Sequence, residues 1–598
     1  MSYEHAVAWS ILRSLLAGTL CWAAARVLLR WKDELIHRGG TEARRSRGQR
    51  SAVSGQPEDA HRLQPASLLP HPQPSTLNSQ RFPFSACLRV SVVKPRASGP
   101  RWRVGLVWTL LLVPFFMPGL VVGYAYRNAS LSLVHTPVLN ELLYLAIVVA
   151  QLTPVALLAL DWLPAASLGQ TGAFLLKLAE QSGRKASVGE RLRALLAGEL
   201  PRQFTAGAIA ALLCFQEVEV ATLMQARGWA KWIFTKQAGG VELVEVWPFL
   251  IGPLGYGLCL TVPVLAYWTN RQTNGIHHGE TEARRSRLSG RTLADSSSPY
   301  LRVSVVNPLC GLLALTGIAA SWILILIWPV TSLVIGAFRG HGVIRFRSAI
   351  WQEIGDSLVL GVTVTVGLWL ISWCVDRMQR RGQLASGSAD DRLRSRSPAL
   401  ALGRPLGTGR SAPPTTARRA FAVLILIPGL LGSLALGLTL FELCQRMGVQ
   451  PSYSPVPLVA GMVLFLLPRA LALQAILRRN ERQAELFMAE ELAQKPGRRG
   501  RFGRAILWRI RDAGRFWTLA LLFWWAYLEL TLPSLLRPAG MAPAPLRLYN
   551  FLHYGHIPGL AAMLVVVLAV PVGVMLVGRG IWILVDGFSM EGSLSNES

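Results

Sequence analysis

The sequence predicts an all-α, polytopic membrane protein of about 11 transmembrane helices in two parallel, repeated lobes. Three observations lead there. Apolar residues gather in uninterrupted runs of about 20, the length that crosses a hydrocarbon core as a helix. With no water in that layer, such a run satisfies its backbone only by becoming helical. Arg and Lys crowd alternate loops between the runs, the pattern by which positive charge orients a membrane protein. Two short basic loops far apart also read as copies: LAEQSGR (178–184) followed by RALL (193–196), and LAQKPGR (492–498) followed by RAIL (504–507).

Composition agrees. Of 598 residues, 52% are hydrophobic and 16% charged, where soluble proteins keep about a quarter charged; mean hydropathy is +0.37. A net charge of +28 would suggest nucleic acid if the basic residues formed one face of a folded domain. They are spread through the loops instead, so the lipid bilayer is the expected partner and nucleic acid is not. The seven cysteines (Cys21, Cys87, Cys214, Cys259, Cys310, Cys374, Cys444) mostly lie in or beside apolar runs without paired spacing. They read as packing residues, with no metal site and no cofactor expected. The first apolar run is too long and too Arg-flanked for a cleavable signal, and lacks a small-residue cleavage site.

Taken in order, the first half holds spans near 7–29, 104–126, 139–163, 204–225 and 247–269. A lone span follows at 309–336, and the second half holds 356–375, 420–442, 455–477, 516–536 and 557–583. Ser14-Leu15 with Gly18 matches Ser357-Leu358 with Gly361, and Pro118-Gly119-Leu120 matches Pro428-Gly429-Leu430. Pro154 and Pro468 precede the two basic loops at equal distance, and an apolar helix after each loop ends near a glutamate, Glu219 in one and Glu529 in the other. Spans one to five therefore pair with seven to eleven. The unpaired sixth restores the orientation of the second copy and makes the repeats parallel.

The domain layout follows from these spans. Residues 1–30 form the first transmembrane helix and 31–102 a basic, low-complexity cytoplasmic insertion. The rest of the N-terminal lobe is 103–270, with its basic loop at 166–203. A second basic insertion, 271–307, leads to the linking helix at 308–337. The C-terminal lobe begins at 338–375, is interrupted by a disordered basic loop at 376–419, and resumes at 420–585 with its own basic loop at 478–515. Residues 586–598 are a tail. Loops rich in Arg and Lys (30–103, 166–203, 270–307, 376–419, 478–515) alternate with poorer ones, which puts the N-terminus outside and the C-terminus in the cytoplasm. HRGGTEARRSR (37–47) recurs as HHGETEARRSR (277–287), and LRVSVV (88–93) recurs at 301–306. These inflated loops read as inserted, disordered sequence, tolerated because each doubling of loop length costs only about 0.6 kcal/mol.

A membrane bundle driven by a cytoplasmic motor needs a stiff knob for the motor to grip. A short helix, a glycine turn and a second helix leading back to the membrane would supply one. Gly183 and Gly497 are the candidate turns, and Ala179 and Ala493 are small enough for close approach by a partner. The pattern resembles the EAA loop of type 1 ATP-binding cassette (ABC) importer permeases, E-A-A-x-x-x-G with an apolar residue ten positions on. Glu491, Ala493, Gly497 and Leu507 fit it, with Leu492 in place of the first alanine. In the other copy Leu178, Ala179 and Gly183 fit, Lys177 takes the glutamate position and Arg193 the later apolar one. Pro201 after Leu200 is similar to the family's Leu-Pro. SLLAGTL (14–20), PFFMPGLVVG (114–123) and LYNFLHYG (548–555) resemble the fused, two-lobed permeases of the ferric iron, thiamine and polyamine group.

The resemblance implies the type 1 ABC importer permease fold in a cell (inner) membrane, in a subunit that is not itself an enzyme. Two cytoplasmic ABC ATPase subunits would each hold one loop, and a periplasmic or extracellular solute-binding protein would dock outside. Ferric iron is the first substrate implied; thiamine, a polyamine or an oxyanion remain open. Usual members carry twelve helices, and this chain lacks the first. It also has no GxxxxGK[ST] loop, so the motor must be another polypeptide.

Glu217, Glu219 and Glu529 fall within apolar helices, where a central charge costs about 2.5–3.5 kcal/mol. They read either as a cation-friendly lining of the translocation path or as interfacial carboxylates reaching headgroup water. Arg469 and Asp161 are expected to snorkel to the cytoplasmic edge, and Tyr549, His553 and Tyr554 to be interfacial anchors. An ion-coupled secondary transporter would instead show unwound helices with charged residues at mid-membrane, which the sequence leaves almost charge-free. A degenerate, non-transporting permease homologue would also account for the imperfect first loop and the insertions.

Overall fold

The computed structural model describes residues 2–53, 101–163, 187, 189, 200–238, 243–265, 308–340, 349–395, 427–480, 483–495, 497–553 and 559–591. Among them every regular element is helical. Seven helices are long and apolar enough to cross a membrane, or eight if one bent pair counts as a span. The protein is thus an all-α polytopic membrane protein, with fewer full-length spans among the described residues than the eleven expected. The shortfall arises because several expected spans are broken part-way.

In the first half, α1 (Tyr3–Val53), α4 (Pro137–Trp162) and α5 (Leu200–Gln216) pack on one another. Small residues permit it: a Cβ at Gly18 would come within 2.6 Å of the Gly207 carbonyl oxygen and 2.8 Å of the Ala211 methyl. Close backbone approach of this kind drives helix association where lipid is as apolar as the side chains. Ala17, Cys21, Tyr144, Ile147, Ala206 and Ala210 form the seam, all essentially inaccessible. Between α1 and α4 come α2 (Arg101–Leu112) and α3 (Gly119–Ser132); after α5 come α6 (Glu219–Leu223), α7 (Trp229–Ala238) and the span α8 (Pro248–Leu265).

The next span is α9 (Pro308–Trp322) and α10 (Trp328–Gly340), joined through a π-turn at Ile323–Ile327. Tyr126, Ser321 and Trp322 tie it to the first half through bonds to the carbonyls of Leu324, Ala150 and Leu110. Its far end packs on α3 and also on α19 (Leu560–Glu591) of the second half. At that crossing Gly336 leaves room for Tyr124 and Ala561.

The second half is also built of long and short helices. Here α11 (Ala349–Ser395), α13 (Val456–Asn480) and α16 (Ala513–Leu528) pack around Leu360, Val364, Leu458, Met462, Leu466 and Leu522. Between them lie α12 (Ser433–Arg446), α14 (Gln483–Ala493) and α15 (Gly497–Leu507); after α16 come α17 (Thr531–Leu536), α18 (Ala544–His553) and α19. Exposed apolar residues such as Leu312, Trp328, Val359, Val366, Leu576 and Val577 lie on the outer helices, as a lipid-facing surface requires.

Two expectations about loops change. The helix at 349–395 runs on through Ser395, so 376–395 is helical where a disordered loop is expected. No proline interrupts it, and its Arg, Gln, Leu and Ala residues are good helix formers. Likewise α1 continues to Val53 through the first part of the 31–102 insertion, and α19 to Glu591 in the tail. The insertion 271–307 and most of the loop 166–203, with Leu178, Ala179 and Gly183, lie outside the described residues.

Candidate functional site

Four helices break at the centre of the molecule, each for a local reason. Pro118 has no N–H to continue a helix, and α2 with its terminal turn and α3 are bent by 66° on either side of Met117 and Pro118. Residues 427–430 are helical, but Gly432 adopts φ +92°, open to glycine, before α12 starts at Ser433. The other two breaks carry glutamates. α5 ends at Gln216, Glu217 and Val218 are non-helical, and α6 begins. α16 ends at Leu528, Glu529 and Leu530 are non-helical, and α17 begins.

At each glutamate the carboxylate satisfies the free amides of the next helix. Glu217 accepts from the backbone N–H of Val220 at 2.7 Å and Ala221 at 3.0 Å, and from the Tyr144 hydroxyl at 2.9 Å. Glu529 accepts from the backbone N–H of Thr531 at 3.3 Å and of Leu532, and from the Ser433 hydroxyl. A helix N-terminus carries partial positive charge and unpaired donors, so a carboxylate is stable there. The residue that stands where Glu529 stands is thus Glu217, not Glu219 as the sequence suggests.

The four breaks surround one cavity of about 440 Å³ between the two halves. Glu217, Glu219 and Glu529 all line it, so the three expected path residues converge. Their states differ. Glu217 is occupied by its cap and by Tyr144, which lies under the Arg13 guanidinium at 4.5 Å; Arg13 pairs with Glu141 at 3.1 Å. Glu219 makes no hydrogen bond or ion pair among the described residues. Its carboxylate lies against the backbone of α3, where a Cβ on Gly119 would come within 2.7 Å of Oε2.

Arg469 is the residue that sequence reasoning misplaced. It follows Pro468 on α13 and lines the cavity instead of snorkelling. Its guanidinium lies over the rings of Phe465 at 4.4 Å and Trp525 at 5.4 Å. Two aromatic faces compensate part of the lost hydration; Glu219 and Glu529 act on it electrostatically without a direct ion pair. The Phe465/Arg469 spacing of one helical turn was the available signal; Trp525 arrives from another helix and had none. The cavity thus holds Arg469 with Glu217, Glu219 and Glu529, where the sequence leads one to expect an almost charge-free mid-membrane. Asp161 does not snorkel alone either: it pairs with Lys32, which also lies over the Trp108 ring at 4.7 Å.

No family model, characterised protein or solved structure matches the chain.

A second, smaller void of about 20 Å³, room for one water, lies beside the first and is lined by Val218, Glu219, Thr222, Leu530, Thr531 and Tyr549. Tyr549 on α18 is hydrogen-bonded to Thr222 on α6 and so joins the two halves, rather than serving as an interfacial anchor. Val218, Glu219 and Thr531 border both voids, so the short helices α6 and α17 close one end of the larger. Among the described residues no group of three or more His, Cys, Asp or Glu could hold a metal ion.

The second basic loop is a helical hairpin. α14 ends at Ala493, Gly497 takes φ +71°, and α15 returns toward α16. Glu491 and Gly497 are exposed, Leu492 and Ala493 half-buried. The arms touch at Gly503, where a Cβ would come within 2.3 Å of the Ala493 nitrogen.

Proposed function

We propose that the chain is the transmembrane permease subunit of an ABC importer, moving a solute by alternating access while separate ATPase subunits hydrolyse ATP. The α14–α15 hairpin carries this reading. It is a helical hairpin between two membrane helices, turned at a glycine with φ +71°, with open space beside that glycine for a partner surface. The matching order of elements in the two halves supports two parallel lobes, each contributing two broken helices to one central cavity. In this proposal the N-terminus lies outside an inner membrane, the hairpins meet an ATPase dimer inside, and a solute-binding protein docks over the α6 and α17 end. Ferric iron, thiamine, a polyamine or an oxyanion are the solutes that the family resemblance brings to this proposal.

One observation favours a second class. Glu219, Glu529 and Arg469 around broken helices are what an ion-coupled secondary carrier would use. Affinity purification from the native membrane separates the two. An importer permease brings down an ABC ATPase, and Gly497→Arg removes it. A carrier transports in proteoliposomes with no ATPase present. A decayed homologue does neither.

A further inference from the structure

We propose that the central cavity binds a zwitterionic organic solute, with Arg469 taking its anionic group and Glu219 its cationic group. The inference rests on the cavity being the transport path and adds the class of solute. Arg469 and Glu219 are residues of opposite charge type lining one void, and among the described residues neither makes a hydrogen bond or ion pair. Glu217 is consumed as a cap and by Tyr144, and Glu529 by Thr531, Leu532 and Ser433. Arg469 and Glu219 act on one another electrostatically, but no ion pair within 4.0 Å joins them. The guanidinium instead lies over Phe465 at 4.4 Å and Trp525 at 5.4 Å, contacts with ring faces that use none of its N–H donors. A planar fork kept free of partners is suited to a carboxylate or phosphonate.

At the other pole Glu219 has no hydrogen-bond donor among the described residues, and Glu529 acts on it electrostatically. A bare cation would face the Arg469 charge, and a bare anion two carboxylates; a solute carrying both signs satisfies each pole. The remaining lining, including Phe115, Met117, Leu152 and Trp524, is apolar. About 440 Å³ holds a small solute with its waters.

Three probes of nearly one shape test the charge rule: glycine betaine carries both charges, choline only the positive one, and 3,3-dimethylbutyrate only the negative one. Equilibrium binding is measured on the full chain in nanodiscs. Betaine is expected to bind at least tenfold tighter than either analogue. Arg469→Gln should bring betaine down to the level of choline, and Glu219→Gln to the level of dimethylbutyrate; should Arg469→Gln fail to fold, Glu219→Gln alone carries the comparison. Equal binding of the three probes, no binding of betaine, or a preference that survives both substitutions overturns the assignment. Labelling of Ala472→Cys by a water-soluble thiol reagent reports separately on the path. A labelled cysteine without betaine preference sinks only the charge rule; an unlabelled one sinks the path and the rule together.

Discussion

Glu217 and Glu529 occupy matching places in the two halves of this chain: each follows the last residue of a long apolar helix, and each accepts backbone N–H groups of the short helix beyond it. A break in a membrane helix exposes donors and acceptors that lipid cannot satisfy. The carboxylate at the break is what makes the break stable.

Truncating either carboxylate should therefore destabilise the helix after it. Glu217→Ala removes a cap, about 0.5–2 kcal/mol, and leaves the buried Tyr144 hydroxyl without its acceptor, about 1–3 kcal/mol more. Glu529→Ala likewise removes a cap and leaves the buried Ser433 hydroxyl without its acceptor, so its cost should fall in the same range. Hydrogen exchange is expected to rise at 219–223 in the first variant and at 531–536 in the second. Unchanged protection in both would refute the capping role.

The Arg13–Glu141 pair is nearly closed to solvent and pins the turn after α6: Arg13 donates to the Arg227 carbonyl at 2.5 Å, and Glu141 accepts the Arg227 N–H at 2.6 Å. Arg13→Met strands a buried carboxylate and should lower stability by about 3–5 kcal/mol. Adding Glu141→Gln, which keeps an acceptor for Arg227, should recover more than half of that loss in denaturation experiments. Strictly additive losses would show that the pair is not coupled.

Gly119 and Gly123 sit one turn apart on α3 and face α6; a Cβ at Gly123 would lie 2.3 Å from Leu223 Cδ1. Gly123→Val should push α6 off α3, lower thermal stability by about 1–3 kcal/mol as an overpacked site does, and raise thiol labelling at Ala472→Cys. A variant as stable as the parent, with unchanged labelling, would show that the contact yields easily.

Within the hairpin, two glycines should respond differently. Gly503→Ala places a methyl against the Ala493 backbone and should splay the arms, seen as faster proteolysis between 494 and 500 and loss of a bound ATPase. Gly497→Ala meets open space and only strains φ, so it should cost about 1–2 kcal/mol locally. If the two variants behave alike, the close crossing at Gly503 has no special weight.

The second hairpin was legible because its signals are local. Glu491, Ala493 and Gly497 lie within one short stretch, and a glycine between two helical segments announces a turn. The glutamates were legible as anomalies in apolar helices, but their roles were not. Glu217 and Glu219 are two residues apart, and nothing in the chain order says which one caps a helix and which faces a void; Tyr144 and Gly119, from distant segments, decide it. Arg469 was misjudged for the same reason. Position along its helix suggested the membrane edge, while Phe465 and Trp525 hold it inside.

The sequence by itself determined that this is a helical membrane protein, since long apolar runs in lipid have no other way to satisfy their backbone. It also determined where basic loops and the α14–α15 turn fall, because those depend on neighbours along the chain. Only the tertiary structure decided how many helices stay whole, where four of them break, and that the breaks meet around one cavity. Whether a charged side chain is spent on a cap or left free depends on which donors other helices bring to it, and that information exists only once the helices have packed.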